Sequence, residues 1–525
     1  MSRSALSLGV ARCVVLAVLF APLVYLCVLS VAANGAGAAL ERATRPEALS
    51  VLLRTIAIAL TSTLLAFALG AGAGWVFERR RFVCSGALRL AAFTPLFLPP
   101  VLQVAAWERL ARPGALLTNF LPFLTTDGGV FPFRHPVTAA VVLAFSYSPV
   151  FFFFTTETLR GLPRGYLEAL RVTRGGWAGG LRVTLPLCAP ALLAAGVVVF
   201  TLAFGNYEVP RLLDVSTFSV LIQIEYGVRD DPGSAFALVL PSFLLSAALL
   251  VVGFTWLRRR RFAPAGLERG ERGWRSERRA GPLAWLLFGG WWSLVVAVPL
   301  AVIVELTGGR LDVFAGAWQT DWEKILWGAL THGTAGVVTT ALAALLLLPR
   351  PGRLARSSAL PIWLLLATPS SLLAFALVRA GSSGPFFALY NSWWILVLAE
   401  VWRFFPIAFF ALDAHLRGVP SEQRDAAAFV PSARTRWLGV HLPLAAPGLV
   451  LGAVAVALFA SQELSTAVFL APPGHEPLIV RIYNALHYGP ERDVVAALAL
   501  YHVVSMVFLC GLLMLGGALL RWRWR

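Results

Sequence analysis

Apolar runs of about 20 residues, the length that crosses a bilayer as helix, recur twelve times along this chain. They lie at roughly 13–33, 54–77, 88–107, 137–157, 189–208 and 235–257, and again at 283–304, 325–348, 359–379, 392–412, 448–470 and 494–519. The pattern predicts an all-α integral membrane protein with twelve transmembrane helices. Composition agrees. Of 525 residues, 58% are hydrophobic and 14% charged, and the mean hydropathy is +0.75, which excludes a soluble multidomain enzyme, a disordered tail protein and a coiled coil. Small residues (Ala32, Ala33, Asn34, Gly35, Ala36) follow the first run as they would a signal peptide. Its apolar stretch exceeds the usual signal core, so it is read as a helix.

The net charge of +17 would suggest nucleic acid in a soluble protein. Topology explains it instead. With the N-terminus inside and the spans alternating, the inside segments carry +22 in total and the outside segments −4. Every inside segment is positive, as cytosolic loops of membrane proteins are. This places both termini of a multi-pass membrane protein in the cytosol. It leaves membrane lipids, and no nucleic acid, as the contact for the basic residues. The most charged stretch, RRRRFAPAGLERGERGWRSERR (258–279), is read as part of a cytosolic linker over 258–282. Cys13, Cys27, Cys84, Cys188 and Cys510 are scattered without a CxxC pair, so neither a disulfide framework nor a zinc site is expected.

The two halves repeat. Shifted by 257 residues, 149–192 falls on 406–449 without a gap and with 16 identities in 44 positions, where composition alone gives roughly one match in ten. Matched residues include Pro149/Pro406, Arg160/Arg417, Gly161/Gly418, Pro163/Pro420, Ala169/Ala426, Leu185/Leu442 and Pro186/Pro443. Six spans per half is an even number, so both halves enter the membrane in the same sense. Two parallel six-helix repeats follow, 1–257 and 283–525, with a pathway expected near their pseudo-two-fold axis.

The best-matched part of the repeat is the cytosolic loop between spans four and five of each half, over 158–190 and 413–447. Arg-Gly-x-Pro (160–163 and 417–420) ends the preceding helix. A short helical stretch opens with an acid, Glu168 or Asp425. A small-residue turn follows, Gly175-Gly176 or Pro431-Ser432-Ala433, and a second short amphipathic stretch leads to Leu-Pro a few residues before the next span. A duplicated helix–turn–helix on the cytosolic face is a handle for a soluble partner.

These residues resemble the EAA loop of binding-protein-dependent permeases of bacterial ABC importers. The family pattern is Glu-Ala-Ala, three residues, Gly, nine residues, an aliphatic residue, one more and Leu-Pro. The copies here read EALRVTRGGWAGGLRVTLP (168–186) and DAAAFVPSARTRWLGVHLP (425–443). Each is one residue short, the second has Asp for Glu, and Arg174 and Pro431 stand where the pattern has Gly. The resemblance implies a type I ABC importer permease fold and two ATPase-coupling loops. The first loop holds Gly161, Pro163, Glu168, Ala169, Gly175, Leu185 and Pro186. The second holds Gly418, Pro420, Asp425, Ala426, Ala427, Leu442 and Pro443. It further implies a separate homodimeric ATP-binding subunit and a periplasmic or lipid-anchored solute-binding protein. Fused two-half permeases look most like those for ferric iron, and EPLIVRIYNALHYG (476–489) resembles the matching iron-type region. Thiamine, polyamine and phosphonate permeases of the same family are the alternatives for cargo.

The chain does not carry the ATPase by itself. A Walker A loop needs Gly-Lys-Ser/Thr, and the sole lysine is Lys324 in DWEKIL. No cofactor, no catalytic residue and no metal site is therefore expected; ATP is used by the partner. Ionisable groups inside spans are site candidates by default. Glu463 in FASQELSTA, its register partner Asn206, and Glu208 two residues on are candidate pathway residues. Glu400 and Arg403, three apart, are expected to pair on one helix face. His475 and His487, near Glu476 and Tyr483, match no metal spacing and are expected to be solvated. Two other classes compete: a secondary transporter, which would need charged coupling residues near the midplane, and a polytopic enzyme, which would need His, Asp or Glu clustered at one membrane face.

Overall fold

The computed structural model describes residues 13–22, 24–25, 28, 41, 44–112, 133–161, 177–227, 229, 232–259, 279–348, 361–366, 368–382, 384–420, 422–423, 426–430 and 432–488, with 492–522 closing the chain. Among these the protein is all helix, apart from one isolated bridge between Arg81 and Arg279. Among the described residues eight helices are long and apolar enough to cross a membrane: Pro46–Arg79, Pro136–Gly161, Leu185–Phe204, Pro282–Leu306, Leu311–Leu347, Trp394–Arg417, Trp437–Ala460 and Asp493–Leu519. A bent pair, Ser85–Phe97 and Pro100–Leu110 at 89°, makes a ninth if it is one span. Three more of the expected runs carry shorter apolar helices, Cys13–Pro22, Ala237–Gly253 and Ser370–Gly381. Exposed apolar side chains such as Phe508, Leu512, Leu515 and Leu519 line the last helix, as lipid contact requires.

Two expectations fail in detail. The run at 88–107 is not one rod. Pro95, Pro99 and Pro100 interrupt it, because the residue before a proline is pushed out of the helical region; Leu98 is extended at φ −102°, ψ 101°. The runs at 189–208 and 448–470 end early, at Phe204 and Ala460.

The chain packs as two compact units that cross the sequence halves. One comprises Met1–Arg45, Leu221–Ala247 and Arg310–Arg525. Its core gathers Leu346, Leu347, Phe404, Phe405, Phe409, Leu412 and Val456, with Leu19 of the first run among them. Trp402 Nε1 donates to the Val18 carbonyl at 3.0 Å, fastening that run. The other unit comprises Pro46–Val220 and Ala248–Gly309. Its core stacks Phe77, Phe82 and Phe152 on Phe288 and Trp291 of the Pro282–Trp292 helix. Trp291 Nε1 donates to Ser148 Oγ at 2.9 Å, and Gln103 Nε2 donates to the Val295 carbonyl at 2.8 Å. The leading helix of each sequence half thus packs in the unit built mostly from the other half.

Small residues let these helices touch. A Cβ on Gly70 would sit 1.9 Å from the Ser148 carbonyl oxygen, and one on Gly74 would sit 2.9 Å from that of Phe152. Gly70 lies in a wide turn, Phe67–Ala71, that interrupts its helix. In the other unit Gly336 approaches the Ala453 carbonyl in the same way, at 2.6 Å from an ideal Cβ. Without a hydrophobic drive between helices in lipid, such close backbone approach supplies the packing energy. Gly70→Val should therefore destabilise the folded protein by about 3 kcal/mol, the upper range for overpacking. A thermal midpoint in detergent indistinguishable from wild type would refute this contact.

Candidate functional site: loop roots and helix breaks

Arg160 and Gly161 of the first Arg-Gly-x-Pro are the last described residues of the Pro136–Gly161 helix. Pro163, Glu168, Ala169 and Gly175 lie outside the described residues. From Trp177 the chain is helical through to Phe204, so Leu185 and Pro186 lie inside a helix. The second loop is fuller. The Trp394–Arg417 helix stops at Gly418, whose N–H donates to the His415 carbonyl at 3.0 Å, and Pro420 follows two residues later. Asp425 lies outside the described residues; Ala426 and Ala427 open one 3₁₀ turn, Ala426–Phe429. Arg436 Nη2 donates to the Val430 carbonyl at 2.7 Å and closes the small-residue turn. Ala433–Arg436 then runs through a wide turn, Trp437–His441, into Leu442–Ala460, with Pro443 in its first turn.

The expected separate stretch before each Leu-Pro is therefore corrected: in both copies it is continuous with the span. Proline costs little in a helix's first turn, and membrane helices tolerate it further in, where neighbouring groups satisfy the freed carbonyl. The side chains also sort unexpectedly. Ala427 is 2% exposed and faces the chain's own interior, whereas Phe429, two residues on, is 88% exposed. Sequence reading passed over Phe429; its signal was an aromatic residue in an otherwise small-residue turn.

The candidate pathway residues share one local setting. Asn206 and Glu463, 257 residues apart in sequence, each fall in a break just after a long helix and before a short one, Glu208–Leu212 or Leu464–Leu470. They thus lie in helix breaks, where the apolar runs had predicted continuous helix. Asn206 Nδ2 donates to Glu208 Oε2 at 2.8 Å, and Val209 N–H donates to Asn206 Oδ1 at 3.1 Å. Both side chains are buried. The break is self-satisfied, as a broken helix within a membrane protein has to be.

At Glu463 the setting is ionic. Arg403, 3% exposed, donates from Nη1 to the carbonyls of Leu366 (3.2 Å) and Thr368, and its Nε lies 3.9 Å from Glu463 Oε2. Glu400 has a partner on another helix. Its Oε1 lies 2.8 Å from His332 Nδ1 on the neighbouring Leu311–Leu347 helix. A helical spacing of three put both groups on one face, but packing gave each a better partner on another element. Arg403 thus ties the irregular segment before Ser370–Gly381 to the break at Glu463. Buried charges of this kind persist only when paired.

Lys324 bonds Asp321 at 2.7 Å, and Arg481 reaches the same carboxylate at 3.5 Å. His475 lies against the Trp327 ring, and His487 stacks on Tyr483. Among the described residues no group of three His, Cys, Asp or Glu side chains is placed to hold a metal ion.

The described residues thus form a helical, multi-pass membrane protein in which two long helices each end in a break followed by a short helix. No family model matches the chain. Curated relatives do. The chain is 30% identical over 220 residues, 40% of its own length and 80% of theirs, to the molybdenum transport system permease proteins ModB of Mycobacterium bovis and Mycobacterium tuberculosis. It is 29% identical over 216 residues to a protein of Haloferax volcanii described as a probable molybdenum ABC transporter permease, covering 76% of that protein. The chain belongs to the family of ABC importer permeases.

Proposed function

We propose that this chain is a fused permease subunit of an ATP-driven importer. Two six-helix halves, 1–257 and 283–525, are joined by the Arg-rich linker 258–282. Twelve spans cross the inner membrane of a bacterium and both termini are cytosolic. The observation that carries this reading is the match to permeases half as long as the chain: the same 220 residues make 80% of the relative and 40% of this sequence. The 257-residue duplication, and the helix breaks that recur at that spacing at Asn206 and Glu463, support it. The loops at 158–190 and 413–447 dock a separate ATP-binding homodimer, and the exposed Phe429 supplies an apolar anchor on the second. A solute-binding protein delivers cargo from outside.

For cargo we infer molybdenum as an oxyanion, the element named for the relatives. Ferric iron, which the resemblance to fused permeases implied, is the competing cargo; thiamine, polyamine and phosphonate stand behind it. The test is uptake in cells stripped of their own molybdate importer and supplied with this chain, its ATPase and its binding protein. Molybdate accumulation that stops when the ATPase is omitted is the expected result. Iron uptake in its place reassigns the cargo. Uptake that continues without the ATPase overturns the importer reading in favour of secondary transport.

A further inference from the structure

The arginine that precedes each Gly-x-Pro, Arg160 or Arg417, is kept in both copies of the repeat, yet the docking role leaves it unexplained. In each unit it is ion-paired to a buried acid. Arg417 Nη2 lies 2.5 Å from Asp413 Oδ2, and Asp413 is 4% exposed. Arg160 Nε lies 3.1 Å from Glu78 Oε1, and Glu78 is 7% exposed. The second tie is internal to one helix, four residues apart. The first is not. Glu78 sits at the end of Gly72–Arg79, Arg160 one residue before the end of Pro136–Gly161, and Arg89 of Ser85–Ala91 also pairs with Glu78 while reaching Glu157 at 2.8 Å.

A helix's last turn favours a cation by its dipole alone. That effect needs no partner and does not explain a buried carboxylate held by two guanidinium groups from two other elements. Burying Glu78 removes it from water, and the two arginines offset that loss only while they stay in place. The carboxylate therefore fixes where the root of the first loop lies relative to the ends of two neighbouring helices.

We propose that Glu78 is a positioning residue for coupling. Through Arg160 and Arg89 it locks the root of the first loop to the helix ends beside it, so that a displacement imposed on the loop moves those helices as one body. The inference rests on the importer reading and extends it from the docking residues to the part that transmits their motion. It predicts asymmetry between the loops, since among the described residues only the first is cross-braced by charge.

The experiment uses the full chain with its ATP-hydrolysing subunit and binding protein in proteoliposomes. The wild type is measured first: if binding protein and solute fail to stimulate hydrolysis, it is the importer reading that falls. Given stimulation, Glu78→Gln and Arg160→Gln are expected to lower solute moved per ATP by about tenfold, within the range of ordinary site-to-site coupling. Basal hydrolysis and the thermal midpoint of the Arg160→Gln complex should hold, because Arg160 is half exposed. Arg160→Lys should restore most of the coupling, and Arg417→Gln should cost less than Arg160→Gln. Should Glu78→Gln fail to fold, Arg160→Gln alone decides. A wild-type ratio of transport to hydrolysis in Arg160→Gln overturns the proposal, as does an equal loss from Arg417→Gln.

Discussion

Replacing Ala169 and Ala426 together with glutamate is expected to abolish solute uptake while ATP hydrolysis by the partner continues. The two positions are register-matched, 257 residues apart, and each follows the acid that opens the short helical stretch of its loop. A helix that fits a cleft on a soluble subunit needs small side chains at the contact, since a bulky charge there must be desolvated against apolar neighbours. In the second loop the backbone at Ala426 opens a tight turn that carries the buried Ala427 and the exposed Phe429. The added carboxylate should loosen docking without touching the membrane core, so the thermal midpoint should stay near wild type. Uptake, hydrolysis and the midpoint measured on one preparation separate uncoupling from unfolding. Unchanged uptake in the double variant would remove the docking role from both loops.

Arg403→Met should destabilise the protein by about 3–5 kcal/mol, the cost of leaving a buried charge without its partner. Three groups lose contact at once: Glu463 in one break, and the carbonyls of Leu366 and Thr368 in another irregular segment. Leu366 and Thr368 are buried, so losing these bonds costs more there than at a surface. Glu463→Gln removes one charge but leaves both backbone bonds of Arg403, so its cost should be smaller. Denaturation midpoints of the two variants in the same detergent rank them. If Arg403→Met proves no more costly than Glu463→Gln, the tie between the breaks does not hold the unit together.

The sequence made some levels of this structure plain and hid others, for physical reasons. Runs of about 20 apolar residues were legible as helices, because the bilayer sets that length whatever the neighbours are, and eight of them fall on helices long and apolar enough to cross a membrane. The stop at Gly418 and Pro420 was equally legible, since glycine and proline act through their own backbone. Helix breaks at 205–207 and 461–463 were not legible. Their residues, Gly205-Asn206-Tyr207 and Ser461-Gln462-Glu463, look like brief polar interruptions of apolar runs, and what settles them is side-chain bonding: Asn206 with Glu208 and the Val209 N–H, and Glu463 with Arg403 of another helix. Spacing along one helix likewise gave no hint of the partners that Glu400 and Arg403 find on other elements, His332 and Glu463. The crossed packing of the leading helices could not be read at all. Leu19 and Phe288 look like any apolar residue, and which core receives them is decided by shape.

The central claim is that this chain moves solute only as driven by a motor it does not contain. Its most direct test is ATP hydrolysis by the separate ATP-binding subunit in nanodiscs, with and without this chain, binding protein and solute. The account predicts hydrolysis that rises when all are present together and returns to its basal level when both loops carry the Ala169→Glu and Ala426→Glu changes. Hydrolysis indifferent to the presence of this chain would contradict it.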